Sequence, residues 1–564
     1  MEGRPLLVVL FLALILVIWA QKRALLAFFS SPDDMVHLQQ AAGLKPLVAS
    51  PFRFISQVVY FHVMVGVFGP MPIAFHVTSL VVHLLNVALA FSLFLRLGAP
   101  RMVAGLSASL FGSFPLFFPL LASAVGMNDE LALTFTLLSL ILVRSRRPWS
   151  SLGAAAAFLV ALLCKESVLA FPLLAALVAG PAYRVRRIVP LCAISGIFSV
   201  LLLLRPPQGL EPYAVALGMN VFHNAMTYAS WAVNVARPMP DMVSSFDPGA
   251  WRVGACVYAG IIISWLVLRA SRSLIRIGAA WWLAGLLPVL VLRLQTFRHY
   301  LYPALPGIAL VAGVSIFELL NIASSTIAPV NGNERRARIR SALLMAMTAL
   351  CAMAYSVHAD ALIRQRLLAR VKGTRLALDP FIRRQEVASY ALGSLARSLP
   401  REGPVSVAIL EPEGTERVFG ARTGREYASR AHRKPMYDLL KESLDGGGAV
   451  KLFFPQVGNI DFIHAWGSQY AGHELFVPYL EGALIGFGKS RSGVLRAADW
   501  MVDQGMMPQA RALLDSLGVA YPGDPAVVLR RQRLEITGGA PLGCRRNSRR
   551  IEAGTRVAPP EPTR

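Results

Sequence analysis

The chain has 564 residues, 55% of them hydrophobic and only 16% charged, against the roughly 25% charged residues of a soluble domain. The deficit is concentrated in the first 357 residues, which excludes a single soluble globule and predicts a mainly α, polytopic membrane helical bundle followed by a polar C-terminal region. Lys and Arg number 56 against 32 Asp and Glu, a formal charge of +24; the arginines gather in short connections between apolar segments, so the excess marks membrane topology and not a nucleic-acid partner.

In chain order, Arg4 and the apolar run 6–20 lead into Gln21-Lys22-Arg23 with no small-x-small cleavage site, as in an uncleaved signal-anchor helix. Apolar stretches of spanning type cover 5–20, 72–95, 102–122, 130–143, 150–163, 167–182, 188–204, 252–268, 277–292, 300–321 and 341–357, about eleven in all. Arg96 and Arg101, then Arg144, Arg146 and Arg147, then Arg184, Arg186 and Arg187, then Arg269, Arg272 and Arg276, and finally Arg335, Arg336, Arg338 and Arg340 fall at alternate connections. They share the cytoplasm with the N-terminus. Residues 21–71, 123–129, 164–166, 205–251, 293–299 and everything past 357 then face out. Residues 215–236 are apolar enough to span, but a twelfth span would reverse the basic loops downstream; an amphipathic helix at the outer interface, or a re-entrant one, fits better. The Pro- and Asp-rich outer loop 205–251 suits an ordered cap and a plain surface loop equally.

Beyond the bundle (1–357), the runs 405–410 (VSVAIL), 450–454 (VKLFF) and 483–487 (ALIGF) read as strands of a small extracytoplasmic α/β region, 358–490. Residues 491–537 read as two helices and the start of a third, similar to a degenerate tetratricopeptide unit. The tail 538–564 has the Arg/Pro/Gly-rich composition of disorder. The 5 cysteines have neither CxxC nor metal-ligand spacing, so no disulfide framework, metal or cofactor is expected.

Charge is expensive at a membrane edge, and this chain places it there repeatedly. Asp33-Asp34 follows the first apolar segment, with His37 and Phe52-Arg53-Phe54 close behind. Asn128-Asp129-Glu130, Lys165-Glu166 and Arg298-His299-Tyr300 occupy other outward connections. Each has a plainer reading: a solvated, helix-capping acid pair, a local ion pair, a snorkelling interface anchor. Together, arginine and lysine converging on one outer cavity suit a phosphate or pyrophosphate, and a carboxylate beside them suits a general base. His76 and His83 share one helix face with Asn86; their spacing fits hydrogen bonds between helices better than metal ligation.

The acidic pair, FRFISQVVYFHVMVGVFGPMPIAFHVTSLVVHLLNVAL, GMNDELA, LLCKESVLAFPLL and FRHYLYPALPG, in that order, resemble the GT-C glycosyltransferases. The closest likeness is to the transmembrane-and-tetratricopeptide O-mannosyltransferases and their bacterial relatives, over about residues 30–320. Phe54 stands where proline is usual, Ser79 near a usual asparagine, Met127 in place of arginine, Cys164 in place of serine, and His299 where glutamate or arginine is common. The resemblance implies an inverting glycosyltransferase of hexosyl or mannosyl type. It would move a sugar from a polyprenyl-phosphate donor to a hydroxyl of a protein, glycan or lipid acceptor, on the outer face of a bacterial inner membrane. Asp33 or Asp34 would be the general base, Asp33 being nearer the membrane helix. Lys165 with Arg298, His299 and Tyr300 would hold the donor phosphate; His37, Arg53, His76, Asp129 and Glu166 would complete the substrate contacts, with no metal. A lipid or polysaccharide transporter and a catalytically inactive scaffold are the competing classes. The first needs mid-span coupling residues and an inverted repeat, which the sequence does not display.

Overall fold

A computed structural model describes residues 3–30, 32–47, 51–145, 147, 149–179, 184–204, 215–233, 248–293, 296–327, 334–370, 375–410, 436–478 and 483–537. Each of the eleven apolar stretches contains helix, and among the described residues eight helices are long and apolar enough to cross a membrane. The pair Arg101–Gly112 and Pro115–Leu121 meets the same test jointly but is bent by 41°, the shape of a broken span or a re-entrant loop. Two of the eleven stretches fall short of that length: the chain is extended at Lys165, which leaves Ser150–Cys164 at 15 residues and Phe171–Val178 at 8. The segment expected to lie at the interface is the 15-residue helix Met219–Val233, shorter than the roughly 20 residues a crossing needs.

Between apolar helices in lipid, close packing replaces the hydrophobic drive, so small residues mark the tightest crossings. Helices Arg272–Leu290 and Leu305–Ile327 meet in this way: a Cβ on Gly307 would lie 2.5 Å from the Gly278 carbonyl oxygen, and one on Gly278 2.7 Å from that of Gly307. The two ends of the bundle differ in charge. Arg144 donates to the Val178 carbonyl at 3.0 Å and Arg187 to that of Val143 at 2.6 Å, cations meeting the negative ends of helices. At the other end, Lys22 and Arg23 bond Asp360 at 3.2 and 2.9 Å. The single Asp360 carboxylate is shared by the two cations.

Helix Glu334–Leu368 has 35 residues, about 52 Å, far more than a hydrocarbon core of about 30 Å. It leads to the C-terminal region, with Ile363, Ala377 and Ile382 still packed against the bundle core. A buried ion pair between Arg366 and Asp379, 2.5 Å, fixes its end, and Asp379 also caps helix Pro380–Ser398 by accepting from the Phe381 and Ile382 amides. The sheet beyond has strands β1 (Val405–Leu410), β2 (Val457–Ile463), β3 (Glu474–Pro478) and β4 (Leu484–Gly488) in the order β2-β1-β3-β4. β1 is parallel to β2 and β3, and β3 is antiparallel to β4.

The expected strand at 450–454 is a correction: it is the helix Gly448–Phe453. The turn before it has left-handed backbone at Gly446 and Gly447, and the helix buries Ala449, Val450 and Leu452 while leaving Lys451 outside. Three helices, Ser490–Asp503, Met507–Ala520 and Pro525–Thr537, follow the sheet. The tail 538–564 and, in the proposed cap loop, 205–214 and 234–247 lie outside the described residues.

Candidate active site

Helix Asp33–Ala41 starts with the acidic pair, immediately after Pro32. Neighbours on a helix point about 100° apart, so the two carboxylates meet different surroundings. Asp34 is fully buried and accepts from the Ser30 amide at 2.7 Å, the Ser123 hydroxyl at 2.8 Å and the Val125 amide at 2.9 Å. Burial lifts its pKa to about 6, against the pull of those three donors. Asp33 is exposed. The structure thus divides the pair into a locked acid that ties the helix to the 123–125 connection and one left exposed.

Arg53 precedes a π-helical turn, Phe54–Val59, and holds a left-handed φ of 62°, a conformation uncommon for a side-chain-bearing residue and worth explaining. Its guanidinium grips Glu166 through two nitrogens, Nε at 3.1 Å from Oε2 and NH2 on Oε1. Ser56 in the same turn donates to the Cys164 carbonyl at 2.7 Å, tying the turn to the chain beside Lys165. Because Lys165 is extended (φ −163°, ψ 138°), it and Glu166 diverge. Lys165 turns inward to bond Asp129 at 2.6 Å, both side chains being at most 5% exposed. Glu166 turns to Arg53. Burial alone would raise the Glu166 carboxyl, but Arg53 reverses this, helped by Lys165, and holds it at about 2. Asp129 sits in the first turn of helix Met127–Arg144, where the helix dipole favours an anion.

Lys165 also lies 5.2 Å from the centre of the Tyr300 ring. His299 meets that ring edge-on at 4.5 Å and stacks on Phe297 at 5.2 Å. Burial, then the charges of Lys165 and Arg53, hold the His299 imidazole well below its usual pKa, so it is neutral at pH 7. The buried Arg298 faces the Trp231 ring at 5.6 Å, which brings helix Met219–Val233 to the same rim. His37 bonds Gln40 through Nδ1 at 3.1 Å. Burial lowers its pKa, and both the Asp33 carboxylate and the Arg53 guanidinium act on it. Arg53, Glu166, Lys165, Asp129, His299, Tyr300 and Arg298 therefore form one rim, and Asp33 and His37 lie within electrostatic reach of it.

His76 stands apart, with Nδ1 donating to the Leu121 carbonyl at 3.2 Å. Deeper lies an uncharged network. His83 donates from Nε2 to the Gly112 carbonyl at 2.9 Å, so its Nδ1 accepts from the Tyr302 hydroxyl at 2.8 Å. Asn86 donates to Tyr302 at 3.1 Å and to the Glu130 carbonyl at 2.9 Å, and accepts from Thr134 at 2.8 Å. Ser79 donates to the Glu130 carboxyl at 2.5 Å. This is the interhelical bonding expected of His83 and Asn86. The sequence does not mark Ser123, Thr134, Tyr302, Trp231 or Ser56 as functional; Ser79, noted only as a departure from the family pattern, forms with His83 and Asn86 at i, i+4 and i+7 the readable sign of a polar helix face. Among the described residues no group of three or more His, Cys, Asp or Glu can hold a metal ion.

The sequence matches no family model and no curated protein. Among solved structures, the chain is similar to ArnT from Cupriavidus metallidurans, crystallised with undecaprenyl phosphate. The two are 14% identical with a TM-score of 0.41, over 85% of this chain and 94% of that one, a likeness too low to assign an activity.

Proposed function

We propose that this protein is an inverting glycosyltransferase that moves a sugar from a polyprenyl-phosphate donor to an acceptor hydroxyl at the outer membrane face. The observation that supports this most is the split acidic pair: an exposed Asp33 beside a rim of fixed cations, with Asp34 locked beneath it. Around it, Arg53, Lys165 and Arg298 stand with the carboxylates Asp129 and Glu166, and His299 is neutral. The carboxylates orient the cations without cancelling the rim; Lys165 bonds Asp129 with one of its three N–H donors.

In the reaction, Asp33 takes the proton of the acceptor hydroxyl. The acceptor oxygen attacks the anomeric carbon from the face opposite the phosphate, the bond from that carbon to the phosphate oxygen breaks, and its electron pair leaves on the lipid monophosphate. Lys165, Arg53 and Arg298 stabilise the charge that grows there. The sugar is a hexose of mannosyl type, the acceptor a protein or glycan, and the C-terminal region presents it. The test is transfer from polyprenyl-phosphate sugars by the protein in lipid nanodiscs: Asp33→Asn retains donor binding and loses transfer. Wild-type rates in that variant would overturn the assignment.

A further inference from the structure

The helix that carries Asp33 is built into the N-terminal outer loop, yet much of what holds it comes from the far end of the chain. Gln39, on the same helix and 1% exposed, donates from Nε2 to Asp445 Oδ2 at 2.6 Å. Lys45, just past the helix, bonds the same oxygen at 2.5 Å. Asp445 has a left-handed φ of 51°, which Asp and Asn adopt more readily than most residues. Gly448, three residues on, accommodates the Gln39 side chain, since a Cβ there would lie 2.1 Å from Gln39 Oε1. Phe453 closes the contact against Phe28 and Phe29, with ring centres 5.7 and 6.4 Å away. The second support of the helix is gripped too. Gln385, in helix Pro380–Ser398, donates to the Ala122 carbonyl at 2.6 Å, next to the Ser123 that holds Asp34.

We infer that Asp445 is a positioning residue for the transfer reaction: by holding Gln39 and Lys45 it lets the C-terminal region set where the Asp33 carboxylate stands. A general base must be in hydrogen-bond reach of the proton it removes, and a displacement of about 1 Å can lower a rate about a hundredfold. The chain's last third is then part of the catalytic geometry and not only a docking module. A ligand that shifts the 445–453 segment shifts Asp33 with it.

This inference rests on Asp33 acting as base, so its test needs a readout independent of turnover. Full-length protein in nanodiscs is compared with Asp445→Asn, which keeps the turn conformation and removes the charge. Amide hydrogen exchange over residues 34–45 should quicken roughly tenfold, the change expected for one lost charge-assisted bond. The kcat should fall about tenfold or more while KM for the lipid donor stays within about twofold, since the phosphate rim is untouched. The charge-exchanged pair Lys45→Glu with Asp445→Lys should recover part of both, since it remakes the ion pair and not the Gln39 bond, whereas Lys45→Glu alone should resemble Asp445→Asn. Unchanged exchange and kcat in Asp445→Asn, or a loss in KM alone, would overturn the inference. Should Asp445→Asn not fold, failure of the exchanged pair to improve on Lys45→Glu does so. No transfer by the wild type, with exchange responding as described, would remove the glycosyltransferase reading and leave the brace standing.

Discussion

The rim and the deeper network are both polar clusters among apolar helices, and they solve the burial problem differently. In the network, His83, Asn86, Tyr302 and Thr134 are uncharged and meet donor to acceptor, which keeps the helices in register. The rim instead holds full charges in two pairs, Arg53 with Glu166 and Lys165 with Asp129. A buried ion pair is a poor way to gain stability, because desolvation offsets attraction; a network of neutral groups does the same joining at less cost. Charges kept where neutral groups would serve point to an electrostatic task, and only the rim adjoins an exposed carboxylate. The difference teaches where in this bundle to look for chemistry.

Four variants test that contrast. The largest effect is expected at Lys165→Met, which strands the Asp129 carboxylate in the protein. Thermal unfolding in detergent should show a loss of about 3–5 kcal/mol together with no transfer. Adding Asp129→Asn should recover the stability and not the transfer; recovery of both would make the pair purely structural. Asp33→Asn, at an exposed position, should lower turnover by about 10²–10⁴ while stability stays within about 0.5 kcal/mol.

Asp34 should show itself through pH. Its carboxyl is raised from 3.8 to about 6, so the folded state binds more protons than the unfolded one between those values. The stability linked to its protonation is complete below pH 3.8 and is lost as pH rises through 6. The difference of 2.2 units (6 − 3.8) corresponds to at most ~3 kcal/mol, read as a melting temperature that falls from pH 4 to 6. Asp34→Asn should abolish that slope. The smallest effect belongs to the network: Tyr302→Phe should cost about 1–2 kcal/mol through the unpaired His83 and Asn86, with kcat and KM unchanged. A kinetic defect there would erase the distinction between the two clusters.

The bundle was readable because a span must be apolar over its whole length, and a charged pair such as Lys165-Glu166 inside such a stretch stands out. The roles within the acidic pair were not readable. Asp33 and Asp34 are chemically identical, and only the approach of Ser123 and Val125, some ninety residues away, separates them. The partners of Arg53 and Lys165 were hidden for the same reason: adjacency in sequence suggested that Lys165 pairs with Glu166, but the extended backbone at Lys165 sends the two side chains to different neighbours. In the C-terminal region, β2 went unseen because Gly458, Asn459 and Asp461 blur the alternation of VGNIDFI, while VKLFF looked like a strand and was claimed by packing against the Asp33 helix. Local preference gave way to tertiary contact at that point.

The bond from Lys45 to Asp445 spans 400 residues, which orders events during biosynthesis. At about 5–20 residues per second, roughly 20–80 s pass between the emergence of one partner and the other. For that interval the nascent chain already contains Asp33, Arg53 and, progressively, every rim residue, and its apolar helices can enter the bilayer. The brace alone is missing. On the proposed mechanism, a product arrested or clipped before residue 445 would keep the rim residues and lack the bonds that Asp445 gives to Gln39 and Lys45, so its turnover should fall below that of the full chain.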